Sequence, residues 1–215
     1  LMSIAFAAGV APGLENRLIV LGRVTPATPP ALHWIDPAHP ESALTPLAVT
    51  GIDGMNVRPC VAITADALVD GFTLTHGLSE DGGGAYLSDG EIRNSLITSN
   101  TGSWYGGGLY LDMAGLANQC IVSNNNAFDG GGIEFNGGGV ASNCQLIGNV
   151  ALDFGGGADC WGGGTLVGCL VSGNYAAWYG GGVECWAGGV IHNSTLVGNR
   201  ADYDGGGVES YNWGI

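Results

Sequence analysis

Three consecutive glycines recur in this chain, beginning at Gly82, Gly106, Gly130, Gly155, Gly180 and Gly205, at intervals of 24 or 25 residues. Six residues ahead of each of the last five triplets stands an asparagine, Asn100, Asn124, Asn149, Asn174 or Asn199, so every repeat carries two independent register marks. A period of this length is the signature of a solenoid, in which each repeat buries its apolar face only against its neighbours. Inside a repeat the alternation has period two: Val183 and Cys185 alternate with Glu184 and Trp186, and Ser194–Val197 forms a second run before a turn at Gly198-Asn199. Helical periodicity is absent. The expected fold is all-β: a right-handed, single-stranded parallel β-helix with about 24–25 residues and two or three short strands per rung.

Stacked rungs place equivalent residues roughly 4.8 Å apart, so each aligned column becomes a ladder along the solenoid. The predicted inward columns are Ala85, Leu109, Ile133, Ala158, Val183, Val208 and Ile97, Ile121, Leu146, Val171, Leu196. A further column, Asn94, Asn118, Asn143 and Asn193, interrupted by Gly168, offers amides to hydrogen-bond from rung to rung. Cys144 and Cys169, and likewise Cys160 and Cys185, should be vertical neighbours. Rung spacing suits a disulfide by Cα distance, but parallel Cβ vectors strain its dihedral, so buried free thiols are the favoured alternative.

The composition narrows the function. The chain has 19 Asp and Glu against five Arg and no Lys, a net charge of −14. Nucleic acid is excluded as a partner, because binding requires cations to neutralise phosphates. Lysine-based chemistry, including a Walker A loop or a Schiff base, is excluded as well. No run of apolar residues is long enough to span a membrane as a helix.

Residues 60–215 form the predicted repeat region, with the C-terminus falling in mid-repeat, so further rungs of the same chain are expected partners. Residues 1–59 form an N-terminal segment of capping or atypical first coils, proline-rich over 25–50. Its start, Leu1–Ala8, reads either as the remnant of a secretory signal with Ala5-Phe6-Ala7 as a small-x-small site, or as an ordinary buried strand or cap. His33, Asp36, His39 and Glu41 cluster in the proline-rich stretch, where a solvated loop outweighs a metal site.

The outward column Tyr86, Tyr110, Glu134, Asp159, Glu184, Glu209 carries the most chemistry. Like charges one rung apart repel by about 3–4 kcal/mol at an effective dielectric of 20. Such a row calls for compensation, either by Ca²⁺ bound to Glu134, Asp159, Glu184 and Glu209 or by raised pKa values that keep some acids protonated. No other cofactor is indicated. Two residues on, Trp161, Trp186 and Tyr211 line up, and aromatics precede the triplets in Trp104-Tyr105, Phe128-Asp129, Asp153-Phe154, Trp178-Tyr179 and Tyr203-Asp204. Aromatic and acidic strips side by side suit a polysaccharide or a cell-surface glycan. The same residues serve equally as turn covers and solubilising charge.

Asp70-Gly71-Phe72-Thr73-Leu74-Thr75-His76-Gly77, together with units such as Asn143-Cys144-Gln145-Leu146-Ile147-Gly148-Asn149 and Gly180-Gly181-Gly182-Val183, resembles the secreted right-handed β-helix proteins of the pectin-lyase-like superfamily. Over residues 47–215 the chain is similar to large bacterial surface proteins with many such coils, and to polymorphic outer-membrane proteins and autotransporter passengers. The resemblance implies a secreted or bacterial cell-surface, outer-membrane-associated protein with a structural, adhesive or glycan-binding role. The alternative is a polysaccharide lyase or glycoside hydrolase, with Asp159 and Glu184 as candidate catalytic acids. The clustered aspartates beside a catalytic Arg or Lys implied by pectate lyases do not map onto this chain.

Overall fold

A computed structural model describes residues 20–21, 31–32, 51–64, 67–186 and 188–211. The Leu1–Ala8 segment and the His33, Asp36, His39 and Glu41 cluster lie outside the described residues. Among the described residues, those from 51 to 211 form a parallel β-solenoid of about six turns without helix, and Val20–Leu21 pairs antiparallel with Ala31–Leu32. Each complete coil has four short strands, not two or three, because the Gly and Asn positions expected to be loops are short corners, some of only two residues, between strands.

The strands stack into four parallel sheets. Sheet 1 contains Thr73–Thr75, Leu96–Thr98, Ile121–Ser123, Gln145–Ile147, Leu170–Ser172 and Thr195–Val197, and begins with Gly51–Asp53, ahead of residue 60. Sheet 2 runs from Leu78–Asp81 through Thr101–Tyr105 and Asn126–Ala127 to Arg200–Ala201. Sheet 3 runs from Val61–Ile63 through Ala85–Leu87, Leu109–Asp112, Ile133–Asn136, Ala158–Trp161 and Val183–Trp186 to Val208–Tyr211. Sheet 4 runs from Leu68–Asp70 to Val190–His192. At most corners the chain bends through the left-handed region, which Gly and Asn tolerate at least cost. Between sheets 4 and 1 the bend is at Asn94, Gln119, Asn143, Gly168 and Asn193, with φ of 48–65°. Between sheets 2 and 3 it is at the first glycine of each triplet, with φ of 58–65°.

The core is the set of inward columns, and Ala85, Leu109, Ile133, Ala158 and Val183 are fully buried as expected. Val208, in the last described coil, is partly open. The second column is corrected at one position: Val122, not Ile121, pairs between Ile97 and Leu146, and Ile121 lies on the surface. The Asn94, Asn118, Asn143, Asn193 column is also revised. Gln119, not Asn118, is the equivalent residue, and the column forms a left-handed corner where Gly168 fits as well as Asn. Asn94 there donates to Asp70 Oδ1 at 2.8 Å.

The amide ladder lies inside the coil, at Asn100, Asn125, Asn149, Asn174 and Asn199. Asn125 Nδ2 donates to Asn149 Oδ1 at 3.0 Å and to the Ile97 carbonyl at 3.0 Å, while its Oδ1 accepts the backbone N–H and the Nδ2 of Asn100, each at 3.0 Å. The pattern repeats at each rung, so the buried amides use their donors and acceptors. Asn125 replaces the predicted Asn124 because the corner leading to Gly130 is one residue shorter than the others.

The third glycine of each triplet makes room for this ladder. A Cβ on Gly157 would stand 2.5 Å from the Gly182 carbonyl oxygen, 2.8 Å from Val171 Cγ1 and 2.9 Å from Asn174 Nδ2. The two register marks of the sequence are thus the two sides of one contact.

All six cysteines are buried free thiols. Cys160 and Cys185 are in register. Cys120, Cys144 and Cys169 join Ser95 and Ser194 in a column whose side chains donate back to the carbonyl two residues earlier, as in Cys144 Sγ to Ser142 O at 3.3 Å and Ser95 Oγ to Arg93 O at 2.7 Å. In this column Cys acts as a small X–H donor interchangeable with Ser.

Candidate functional site

The predicted acid column is in register: Tyr86, Tyr110, Glu134, Asp159, Glu184 and Glu209 pair rung by rung on the outer side of sheet 3. It points away from the core and yet is covered. Glu134 is 2% exposed, and Asp159 and Glu184 are each 3% exposed. The cause is the sharp bend at the first glycine of each triplet, which folds the preceding residues back over the strand as an elbow. A Cβ on Gly130 would stand 2.7 Å from Glu134 Oε2, and one on Gly155 2.6 Å from Asp159 Cβ.

Burial governs the electrostatics. Desolvation raises the pKa of Glu134 well above the ordinary range, with Asp159, Asp129 and Asp81 adding repulsion. Asp159 is raised in the same way, helped by Asp129 and Glu184 and opposed by the Cys160 backbone N–H. Glu184, nearer the open end of the stack, rises to about 7, first from burial and then from Glu209. Asp129, on the elbow itself, rises to about 6 through burial, although the Phe154 N–H bonds its Oδ1 at 3.1 Å. Tyr110 is pushed up by burial and by Asp81. One oxygen of each central acid, Glu134 Oε2, Asp159 Oδ1 and Glu184 Oε2, is buried without a hydrogen-bond partner.

Aromatic columns flank the acids. Trp161 and Trp186 stack at 5.5 Å and 10°, and Trp186 and Tyr211 at 5.0 Å and 16°; Trp161 remains half exposed. Tyr86 and Tyr110 stack at 5.2 Å. On the elbow, Trp178 and Tyr203 stack at 4.7 Å, whereas Trp104 and Phe128 cross at 64°; these four rings are 37–63% exposed. A stacked ring spends a face on its neighbour and turns its edge to water. Crossed rings such as Trp104 and Phe128 leave one of the two with both faces unstacked by its partner.

The structure therefore gathers all nine residues singled out by the sequence on sheet 3, but separates them by depth. Trp161 and Tyr211 reach the surface; Glu134, Asp159 and Glu184 lie beneath it, so no polymer touches the proposed catalytic pair as it stands. Asp129 and Tyr105, which the sequence offers only as members of the pairs ahead of the triplets, also belong to the site. Their signal was the aromatic or acidic residue directly before each triplet. Among the described residues no group of three or more His, Cys, Asp or Glu side chains converges as a metal site would require. A shallow depression of about 380 Å³, lined in part by Leu68, Asp89, Glu91 and Leu116, lies at the corner between sheets 3 and 4, away from the acids. No helix among the described residues is long and apolar enough to cross a membrane. Comparison with protein-family models, curated proteins and solved structures gives no match to this chain.

Proposed function

We propose that this chain is a secreted or cell-surface structural solenoid that adheres to a neutral glycan lying along its axis. The observation that carries this reading is the exposed elbow of Trp104, Phe128, Trp178 and Tyr203, together with the Trp161, Trp186 and Tyr211 column of sheet 3. Aromatic rings on four of five successive rungs, interrupted at Asp153, suit an extended polymer of sugar rings better than a single small ligand. The net charge of −14 repels anionic polysaccharides, which favours neutral ones. The buried acids shape the floor beneath the aromatics and do not contact the ligand.

Retention on immobilised neutral polysaccharides, compared with polygalacturonate, tests the reading. The wild type should bind the neutral polymers, and Trp104→Ala with Trp178→Ala should weaken binding at least about tenfold, two aromatic contacts being worth roughly 1.4 kcal/mol or more together. The melting midpoint should fall by only a few degrees, since the two substitutions remove only ring contacts at the surface. Equal binding by the double variant, or preference for polygalacturonate, would remove the proposal.

A further inference from the structure

The acid row has an arrangement that a merely solubilising column would not need. Three consecutive carboxyl groups are almost fully buried, each leaves one oxygen without a partner, and the elbow above them supplies further acids in place of cations. The groups on the elbow column beside the row are Asp81, Tyr105, Asp129, Tyr179 and Asp204, with Tyr110 and Glu209 on the same sheet and the Cys160 and Cys185 thiols on the core side of the strand. Arg93 and Arg200 are committed elsewhere, Arg93 to Asp70 at 3.1 Å and Arg200 to Asp202. A buried carboxylate without a cation or a full set of donors is costly, and the cheapest remedy open to it is to take up a proton.

We propose that Glu134, Asp159 and Glu184 form a proton-holding row, so that the solenoid is tightest in mildly acidic surroundings and loosens along the elbow as the row ionises. A protonated carboxyl removes the repulsion between rungs and gains an O–H with which to satisfy a neighbouring oxygen. The direction follows from the raised folded-state pKa values. An acid that binds its proton more tightly when folded favours the folded state below its folded pKa. That advantage is lost as pH rises from the ordinary carboxylate range through the folded value, which lies near 7 for Glu184 and well above the ordinary carboxylate range for Glu134 and Asp159.

The test is a set of thermal melts between pH 5 and pH 8.5, with EDTA and with added Ca²⁺, on wild type and on the variant Glu134→Gln, Asp159→Asn, Glu184→Gln. The wild-type midpoint should fall by at least about 5 °C across that range, with no difference between EDTA and Ca²⁺. The variant, whose amides mimic neutral acids, should keep only the shallower slope that Asp129 contributes and should outlast wild type at pH 8.5. If the variant does not fold, infrared spectra of wild type decide: a protonated carboxyl band should persist at pH 7 and vanish on unfolding. A flat wild-type profile, an unchanged slope in the variant, no such band, or stabilisation of wild type by Ca²⁺ that the variant lacks would each overturn the proposal, the last in favour of a cation site.

Discussion

Asn125→Asp should come close to unfolding the solenoid, while Asn124→Asp, one residue away, should change its stability by no more than about 0.5 kcal/mol. Asn125 is buried, and its Nδ2 donates to the Ile97 carbonyl and to Asn149 Oδ1. Aspartate puts an oxygen in place of that donor, so one acceptor faces two others, and any charge there is buried. Leaving buried polar groups unpaired costs about 1–3 kcal/mol each, so the expected loss is about 4 kcal/mol or more. Asn124 is an exposed corner residue at φ 53°, a conformation Asp also tolerates. Urea denaturation followed by circular dichroism gives both values. Equal effects at the two positions would show that the ladder is misassigned.

Gly157→Ala should cost about 3 kcal/mol, and Gly207→Ala almost nothing in the 215-residue chain. The Cβ added at Gly157 meets the backbone of the next rung, the Val171 side chain and the Asn174 amide at 2.5–2.9 Å, with no open side. Overpacking of this kind typically costs about 1–3 kcal/mol, and displacement of the amide adds to it. Gly207 is the third glycine of the last triplet, where a Cβ meets nothing within 4 Å. The same substitution at the same repeat position thus separates a conformational preference for glycine from the steric demand of the next coil. If Gly207→Ala is as damaging as Gly157→Ala, that steric demand is not the reason for the triplet.

The glycine period carried the coil length, the parallel stacking and most of the inward residues, because repeats of constant length can bury one face only by lying on one another. Strand number was harder to read. A left-handed Asn143 or Gly168 between two three-residue strands has the same local sequence as a loop. The one-residue slips at Ile121 and Asn124 have a single origin: the triplets fix register at Gly130, while the corner from Asn125 to Gly130 is shorter than its neighbours, and only the coordinates show on which side the residue is missing. The register of the acid column was legible from alternation at Glu184 and its equivalents. Its burial was not, because alternation tells which side of a strand a residue takes, and the cover depends on how sharply the chain turns at Gly130 and Gly155. The exposed aromatics of the elbow were visible as pairs ahead of the triplets, but not the difference between crossed Trp104 and Phe128 and stacked Trp178 and Tyr203.

Methyl–methyl contacts measured by NMR on selectively labelled protein address the stacking itself. Val122 should show strong cross-peaks to both Ile97 and Leu146, and Val171 to Leu146 and Leu196, as neighbours one rung apart. Cross-peaks from Ile121 in place of Val122, or none between residues 24 or 25 apart, would contradict an in-register parallel coil.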